Sequence, residues 1–311
     1  MNTKIVVIGS SNTDLIMKMP RLPRVGETVT DAVFMQTFGG KGANQAVGAV
    51  RAGGDVSFVN CVGDDDAGRR MEEQFRNEGI HTEFVFREGG IASGTALVMI
   101  GEQGANYISV APGANYRLTS EHIDKADALI GEAAIVVLQY EIPADALKHA
   151  LDVCQRHKTR VMWNYAPARE FDRSYLRKVT ILAVNETEAG MLSGISVGEE
   201  GTAELAAKEL LGLGCETVII TLGARGSCVA ASGVCEWIPA FRVDAVDTTG
   251  AGDVYCGCLA VALAEGKSLA ESARFASAAA AISVTRLGAQ SSAPFRDEID
   301  RFLDSERGYN R

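Results

Sequence analysis

Nearly continuous runs of apolar residues recur along the chain, and stretches with helical periodicity separate them. Such runs are typical of parallel strands that are buried on both faces, and they cover 4–9, 55–61, 134–139, 160–164, 179–184 and 216–223. Helical patterns lie between and after them, at 67–79, 143–157, 204–214, 251–265, 268–285 and 295–304. This alternation predicts an α/β protein, a three-layer α/β/α sandwich around a mainly parallel central sheet.

One part of the chain departs from this alternation. Residues 94–113 have the pattern of a strand, a Gly-containing turn and a second strand, which predicts an antiparallel hairpin. We therefore predict one α/β domain over 1–311, with a small β-sheet lid inserted from about 13–38 and 94–111. Such a lid would cover the edge of the main sheet where α/β proteins bind ligands. Its exposed face would need cover, so we expect a homodimer through the lid sheets.

The composition argues against several classes of protein. The 311 residues are 47% hydrophobic and carry 40 acidic against 30 basic side chains, a formal net charge of −10. We therefore expect no nucleic-acid partner, since such binding needs a basic face. No apolar run approaches the roughly 18 residues of a membrane span, and the N-terminal run is too short for a signal peptide, so we expect a cytoplasmic protein without a membrane partner. The seven cysteines are scattered without a CxxC motif, which predicts reduced thiols.

Glycine is unusually frequent, with 33 residues, and the strongest local signal is the stretch AVDTTGAGD at 245–253 before an apolar helix. Gly250 and Gly252 allow the backbone to bend tightly and to approach a ligand. The N–H groups of 250–253 would converge at the helix N-terminus, a position that suits a transferring phosphoryl group. The residues alone leave two interpretations of Asp253 open: an N-terminal helix cap, or a general base for a substrate hydroxyl.

A second Gly-rich stretch, at 38–54, surrounds Lys41 and opens a helix whose first residues include Asn44. It could be a turn in which glycine packs against a strand. It could also supply backbone and amide donors to a polyhydroxylated ligand. Taken alone, this stretch does not separate the two interpretations.

Together, the two stretches resemble the signature regions of the ribokinase-like family, which includes the B-type phosphofructokinases and many sugar and nucleoside kinases. The resemblance covers almost the whole chain, with both signatures in register with the motifs between them. The matching segments are IGSSNTDLI (8–16), GGKGANQA (39–46), VGDDDAG (62–68), LQYEIP (138–143), NYAPARE (164–170), NETEAGMLSG (185–194), TLGARG (221–226), VDTTGAGD (246–253) and AAAAISVTRLGAQSS (278–292).

The resemblance implies an ATP-dependent kinase that phosphorylates the 5-hydroxyl of D-ribose to D-ribose 5-phosphate. A kinase for 2-deoxyribose or another small sugar or nucleoside is one alternative, and a non-catalytic sugar-binding regulator is the other. Asp253 would be the general base, beside an anion hole that includes Gly250, Ala251 and Gly252. The implied sugar contacts are Asn12, Asp14, Gly40, Lys41, Asn44, Glu141 and Asp253.

The resemblance also implies Mg²⁺ and K⁺ as cofactors beside ATP. Asn185 and Glu188 match the family's N-x-x-E element, which is associated with Mg²⁺ and phosphate. The other implied nucleotide contacts are Thr221, Gly223, Arg225, Gly226, Gly252 and Ser277. The implied K⁺ site uses chiefly backbone carbonyls and comprises Asp247, Thr249, Ser283, Arg286, Gly288 and Ser292.

Plainer structural interpretations exist for three of these elements. Asn185 could serve only as a helix N-cap, and 221–226 could be only a strand-ending turn. Arg286 could merely complement a helix dipole. The family resemblance favours the functional interpretation of each.

The chain departs from the family pattern at three positions near these motifs. Val254 and Cys256 stand where Thr and Asn are usual after the catalytic Asp, and Tyr165 stands where Pro is common. Because the anion hole is mainly backbone, we expect the activity to survive these changes. We expect any effect to fall on the choice of substrate, including a shift toward 2-deoxyribose.

Overall fold

The computed structural model describes residues 2–102, 106–199 and 201–309, so the turn of the predicted hairpin, at 103–105, lies outside the described residues. Within them the strands are, in chain order, β1 (Lys4–Ile8), β2 (Asn12–Met19), β3 (Val33–Gly39), β4 (Asp55–Gly63), β5 (Val85–Glu88), β6 (Thr95–Gly101), β7 (Asn106–Ala111), β8 (Ile135–Leu138), β9 (Val161–Asn164), β10 (Ile181–Asn185), β11 (Thr217–Thr221), β12 (Ser227–Ala231) and β13 (Val234–Ile238). The α-helices are α1 (Lys41–Arg51), α2 (Asp66–Glu78), α3 (Ser120–Lys125), α4 (Asp127–Glu132), α5 (Ala144–His157), α6 (Glu186–Ser193), α7 (Thr202–Gly212), α8 (Ala251–Ala264), α9 (Leu269–Ser283) and α10 (Arg296–Tyr309).

Nine strands form the central sheet, in the order β13-β12-β11-β10-β9-β8-β1-β4-β5. The strands from β11 through β5 in that order are parallel, and β12 and β13 are antiparallel additions at one edge. An apolar core lies on each face of the sheet, and successive strand residues point into different cores. Val7 belongs to the core shared with α1, α2, α8, α9 and α10, whereas Ile8 belongs to the core shared with α3 to α7. The predicted three-layer α/β/α sandwich with a mainly parallel sheet is confirmed.

A second sheet of four strands, in the order β3-β2-β6-β7, lies apart from the first. We call it the lid sheet. β2 pairs antiparallel with β3 and parallel with β6, and β6 pairs antiparallel with β7. The sequence predicted this small sheet because its two segments alternate and contain turn residues, in contrast to the continuously apolar parallel strands.

Helix α8 is buried along almost its whole length, which explains why its sequence is so apolar. It crosses α1 at a pair of glycines: a Cβ on Gly257 would lie 2.4 Å from Gln45 O, and one on Gly48 would lie 3.4 Å from Val254 Cα. The two helix N-termini therefore lie side by side. Among the described residues, no helix is long and apolar enough to cross a membrane.

The hairpin of β12 and β13 was not predicted, because its small residues Ser, Cys and Ala give little of the β-branched pattern that marks a strand. The structure joins Cys228 to Cys235 in a disulfide across this hairpin. The prediction of reduced thiols is therefore wrong for these two residues. It is confirmed for the remaining five cysteines, which are free and buried.

Candidate active site

The first residues of α1, α6 and α8 meet at the carboxyl edge of the central sheet. β8, β9 and β10 end there too: Asn164 and Asn185 are the last residues of β9 and β10, and Glu141 comes shortly after β8. This is the edge where open α/β sheets bind ligands, since helix N-termini point at it with unpaired N–H groups. The structure thus brings together side chains that are up to 209 residues apart in sequence, such as Asn44 and Asp253.

Asp253 lies in the first turn of α8 and is buried, with 6% of its surface exposed. Its carboxylate accepts a hydrogen bond from Asn44 Nδ2 at 2.9 Å and another from Gln45 Nε2 at 3.0 Å. The N-cap of α8 is Gly250, and no side chain caps this helix. Asp253 therefore points across to α1, and the helix-cap interpretation of this residue is wrong.

The negative charge of Asp253 is balanced by a neighbouring cation. Asp253 raises the pKa of the Lys41 ammonium above its ordinary value, against the opposing effect of burial, and Glu141 and Glu188 add to the rise. Lys41 therefore stays protonated beside the carboxylates of Asp253, Glu141 and Glu188. A cation in this position can hold an anionic phosphoryl group beside Asp253.

The turn before α8 forms a cradle of backbone N–H groups. Gly250 has φ 74°, a left-handed conformation, and a Cβ there would lie 2.8 Å from Ala289 Cβ. A Cβ on Gly252, in contrast, would meet no heavy atom within 4 Å. The first N–H group to make a helical hydrogen bond is that of Val254, which donates to Gly250 O. The N–H groups of Gly252 and Asp253 come before it and have no carbonyl partner within the helix. The open space at Gly252 leaves room for a ligand against these donors.

Polar groups of β2 and of the chain after β8 line the side of the cradle next to the lid sheet. Asp14 is held against Gly39, where a Cβ would lie 2.1 Å from Asp14 Oδ2. Burial, and then the nearby charge of Glu141, raises the pKa of Asp14 to about 7. Glu141 accepts hydrogen bonds from Ser10 Oγ at 2.5 Å and from the Lys41 N–H at 3.0 Å.

Two further residues predicted to contact the sugar are fixed within the protein. Asn12 is buried, and its Oδ1 accepts a hydrogen bond from Asn115 Nδ2 at 2.9 Å. Gly40 is the N-cap of α1 with φ 90°, and a Cβ there would lie 2.7 Å from Ser11 Cα. A side chain at position 40 would therefore push α1 away from β2.

The N-x-x-E element forms a reciprocal capping box at the start of α6. Asn185 Oδ1 accepts from the Glu188 N–H at 2.8 Å, and Glu188 Oε2 accepts from the Asn185 N–H at 2.9 Å. The plainer interpretation of Asn185 as an N-cap thus describes its contacts here. Burial raises the pKa of Glu188, and the charge of Lys41 opposes that rise. One carboxylate oxygen of Glu188 stays outside the capping box, and the charges of Lys41 and Asp253 both act on this carboxylate.

The loop after β11 contains a 3₁₀ turn, Gly223–Arg225, between Thr221 and Gly226. Thr221 Oγ1 donates to Val184 O at 3.3 Å, and Arg225 pairs with Glu186 and donates to Gly198 O. Ser277 is buried on α9. This loop follows the strand next to β10, so it lies beside the capping box at the same sheet edge.

The residues predicted to form a K⁺ site lie together beside the Gly250 turn. Asp247 accepts from the N–H groups of Thr249 and Gly288, each at 2.9 Å. Burial acts to raise the pKa of Asp247, but these hydrogen bonds outweigh it and leave the pKa below its ordinary value. Arg286 pairs with Glu298 at 2.5 Å. Ser283 and Ser292 are buried, and each donates its hydroxyl to a carbonyl three residues before it.

Three amide side chains of this site were quoted in motifs but given no role by the sequence. They are Gln45, Gln139 and Asn164, which bond to one another and reach Asp253. Their positions after strands and at a helix start are the only signal in the sequence. Among the described residues, no group of three or more His, Cys, Asp or Glu side chains is arranged to hold a metal.

The buried carboxylate beside the N–H groups at this edge suits an enzyme that transfers a phosphoryl group. The sequence profile of the pfkB family carbohydrate kinases matches residues 2–296. The chain belongs to this family, as the resemblance of its glycine signatures predicted.

Individual relatives cover nearly the whole chain. The ribokinase of Haemophilus influenzae is 39% identical, over 98% of this chain and 99% of the relative. The deoxyribokinase of Salmonella typhi is 35% identical, over 96% of this chain and 98% of the relative. The structure of Arabidopsis thaliana ribokinase complexed with ribose and ATP is similar, with a TM-score of 0.92 and 32% identity, and the match covers 97% of this chain and 99% of that one.

Proposed function

We propose that this protein is an ATP-dependent kinase that transfers the γ-phosphoryl group to the 5-hydroxyl of D-ribose, giving D-ribose 5-phosphate and ADP. The observation that carries this proposal is the buried Asp253, which lies between the polar groups of the lid side and the N–H cradle of α8. The full-length similarity to ribokinases supports the choice of ribose. We place the reaction in the cytoplasm, where ATP is available.

The proposed reaction needs one proton transfer and one displacement. Asp253 takes the proton of the 5-hydroxyl as that oxygen bonds to the γ-phosphorus, and the bond from the γ-phosphorus to the bridging oxygen breaks so that ADP leaves. The N–H groups of Gly250, Gly252 and Asp253 stabilise the negative charge on the transferring group, whereas the Ala251 N–H donates to Thr248 O at 3.3 Å. Lys41 contributes its positive charge.

The sugar would be held between the lid sheet and α1. The carboxylate of Asp14 can accept two vicinal hydroxyls, which orients a pentose. Asn12, Gly40, Glu141 and the free Oδ1 of Asn44 complete the sugar contacts. Asn44 Oδ1 is buried with no partner among the described residues, so a sugar hydroxyl would satisfy it.

The nucleotide would bind along the edge formed by β10, β11 and α9. Thr221, Gly223, Arg225, Gly226 and Ser277 line this part of the site. Mg²⁺ fits Asn185 and Glu188 through water, because Mg²⁺ keeps several waters and needs few carboxylates, and Glu188 has an oxygen outside its capping box. When bound, Mg²⁺ would offset phosphate charge.

A K⁺ ion fits the loops at 247–249 and 283–292, which lie beside the Gly250 turn. The Asp247 carboxylate supplies negative charge there, and the ion pair with Glu298 neutralises Arg286. When bound, the ion would add positive charge near the anion hole. The residues of this site would hold the Gly250 turn in place.

The substrate assignment is tested by ADP release with ATP, Mg²⁺ and K⁺ against D-ribose, 2-deoxyribose, fructose and nucleosides. We expect the highest kcat/KM with D-ribose. A preference for 2-deoxyribose would overturn the assignment and support the alternative that the deoxyribokinase relative favours. Sugar binding without turnover would support a regulator.

We further propose that residues 1–311 act as one α/β domain whose lid sheet, from 13–38 and 94–111, pairs with that of a second copy. Both faces of the lid sheet are apolar, because neighbouring cross-strand pairs such as Ile16–Met35 and Met17–Phe34 point to opposite faces. One copy of the domain cannot cover both faces. The exposed apolar side chains are Val33, Phe34, Met35, Leu97, Tyr107, Ile108 and Val110.

A charge on each face of the lid sheet should therefore separate the copies. We expect a dimer of the wild type at micromolar concentration by light scattering, and a monomer for the double variant Phe34→Lys/Ile108→Lys, because a lysine cannot be buried without a partner. Val234→Lys, on the exposed edge strand β13, should leave the dimer intact. A monomeric wild type would contradict the proposal.

Sugar affinity should depend on pH through Asp14. The pKa of about 7 means that this group is protonated below neutrality. One oxygen of the protonated group becomes a donor, and the group accepts hydroxyl hydrogens more weakly than the ionised carboxylate does. We therefore expect the KM for the sugar to rise about tenfold for each pH unit below 7, and to level off above pH 8. Asp14→Asn should give a higher KM without this dependence. A wild-type KM that is constant from pH 5.5 to 8 would contradict the assignment.

A further inference from the structure

Buried amide side chains form a continuous chain of hydrogen bonds that ends on Asp253. Gln139 Nε2 donates to Gln45 Oε1 at 2.7 Å, and Gln45 Nε2 donates to Asp253 Oδ1 at 3.0 Å. The same Gln45 nitrogen donates to Asn164 Oδ1 at 3.1 Å. Both glutamines have no exposed surface. Each hydrogen of the Gln45 amide nitrogen therefore has its own acceptor, and its oxygen has a donor.

The donor-to-acceptor direction of these hydrogen bonds is fixed at both ends. The ionised carboxylate of Asp253 can only accept, so the nitrogen of Gln45 must face it. Asn164 Nδ2 donates to Ala183 O at 3.2 Å, and because that carbonyl can only accept, Asn164 must present its oxygen to Gln45. The oxygen of Gln45 then faces Gln139, which must donate. None of these amides can turn over without losing a bond.

The packing around the glutamines holds them in this arrangement. A Cβ on Gly9 would lie 2.0 Å from Gln139 Oε1, so the glycine makes the room that Gln139 occupies. Gln45 lies on the face of α1 where Gly257 allows α8 to approach closely. Gln139 Oε1 itself has no partner among the described residues, which leaves donation to Gln45 as the contact that fixes Gln139.

We propose that Gln45, held by Gln139 and Asn164, is a positioning residue for Asp253. Its donation to Oδ1 fixes the plane of the carboxylate, so that the remaining lone pairs face the substrate hydroxyl. This proposal rests on the proposed role of Asp253 as the base. A buried amide that served packing alone would contribute to stability without lowering kcat at an unchanged KM.

The test compares Gln45→Met with the double variant Gln45→Met/Gln139→Met. Methionine matches the length of glutamine and donates no hydrogen bond. For Gln45→Met we expect kcat to fall about 10- to 100-fold, the usual effect of losing one hydrogen bond to a charged group. The KM for the sugar should stay within about threefold.

The double variant separates positioning from packing. It removes the unpaired Gln139 amide that the single variant leaves behind, so thermal stability should recover while kcat stays low. Gln74→Met, on α2 and outside the site, is the matched control and should leave kcat and KM unchanged. If Gln45→Met does not fold, Gln139→Met alone should lower kcat by a smaller factor, again with KM nearly unchanged.

A wild-type kcat in every folded variant, or a double variant that recovers both stability and kcat, would overturn the proposal. The role of Asp253 is tested separately by its own variant. If Asp253→Asn is inactive and Gln45→Met has the wild-type kcat, only the positioning role fails. If Asp253→Asn turns over normally, the proposed base fails first.

Discussion

Asp253→Asn should keep the fold and sugar binding but lower kcat by about 10²- to 10⁴-fold, the range that general-base catalysis supplies. Asparagine has nearly the same shape as aspartate and can still accept one of the two hydrogen bonds that Asn44 and Gln45 donate. It cannot take the proton of the substrate hydroxyl. The measurement is kcat from ADP release, with sugar affinity from calorimetry.

The matched control for this variant is Asp300→Asn. Asp300 is an exposed carboxylate on α10 that pairs with Arg296 at 3.0 Å, and surface ion pairs of this kind contribute little. We expect its kcat to equal that of the wild type. Turnover of Asp253→Asn within a few-fold of the wild type would show that Asp253 is not the base.

Gly252→Ala should separate stability from activity. Its Cβ would meet no atom of the protein, and alanine is favoured over glycine in a helix by about 1 kcal/mol, so the melting temperature should stay equal or rise slightly. The same methyl group would project into the space where we place the transferring phosphoryl group. We expect kcat/KM for ATP to fall about 100-fold or more, comparable with the loss of one anion-hole donor.

Gly250→Ala is the contrasting variant, because its Cβ would lie 2.8 Å from Ala289 Cβ and its φ of 74° disfavours a side chain. We expect it to unfold at lower temperature, with a cost of roughly 1–2 kcal/mol from the left-handed conformation alone. Wild-type kinetics of the Gly252→Ala variant would show that the transferring phosphoryl group does not bind against the N–H groups before α8. Thermal melts and ATP titrations of both proteins decide this.

The sequence predicted the central sheet well because its parallel strands are buried on both faces and are therefore continuously apolar. β12 and β13 were not predicted, because they are not continuously apolar. They lie at the sheet edge, and β13 has exposed residues such as Glu236, so their pattern is neither continuous nor strongly alternating. The pairing of Cys228 with Cys235 follows from that hairpin and could not be predicted without it.

The site was predicted as a set of motifs, but its contacts depend on how distant motifs meet. Asn44 was assigned to the sugar, and the structure shows its nitrogen bonded to Asp253. Asp253 itself could not be distinguished from a helix cap until the packing of α1 on α8 was known. Gln45 and Gln139, 94 residues apart, were invisible as a pair because no local pattern connects them.

The proposed reaction transfers the γ-phosphoryl group of ATP to the 5-hydroxyl of D-ribose. The phosphorus NMR spectrum of the product formed from ATP, Mg²⁺, K⁺ and D-ribose tests this directly. We expect a phosphate monoester whose phosphorus is coupled to the two protons on C5, formed in equal amount with ADP. Coupling to the proton on C1, or ADP formed with free phosphate and no sugar ester, would contradict it.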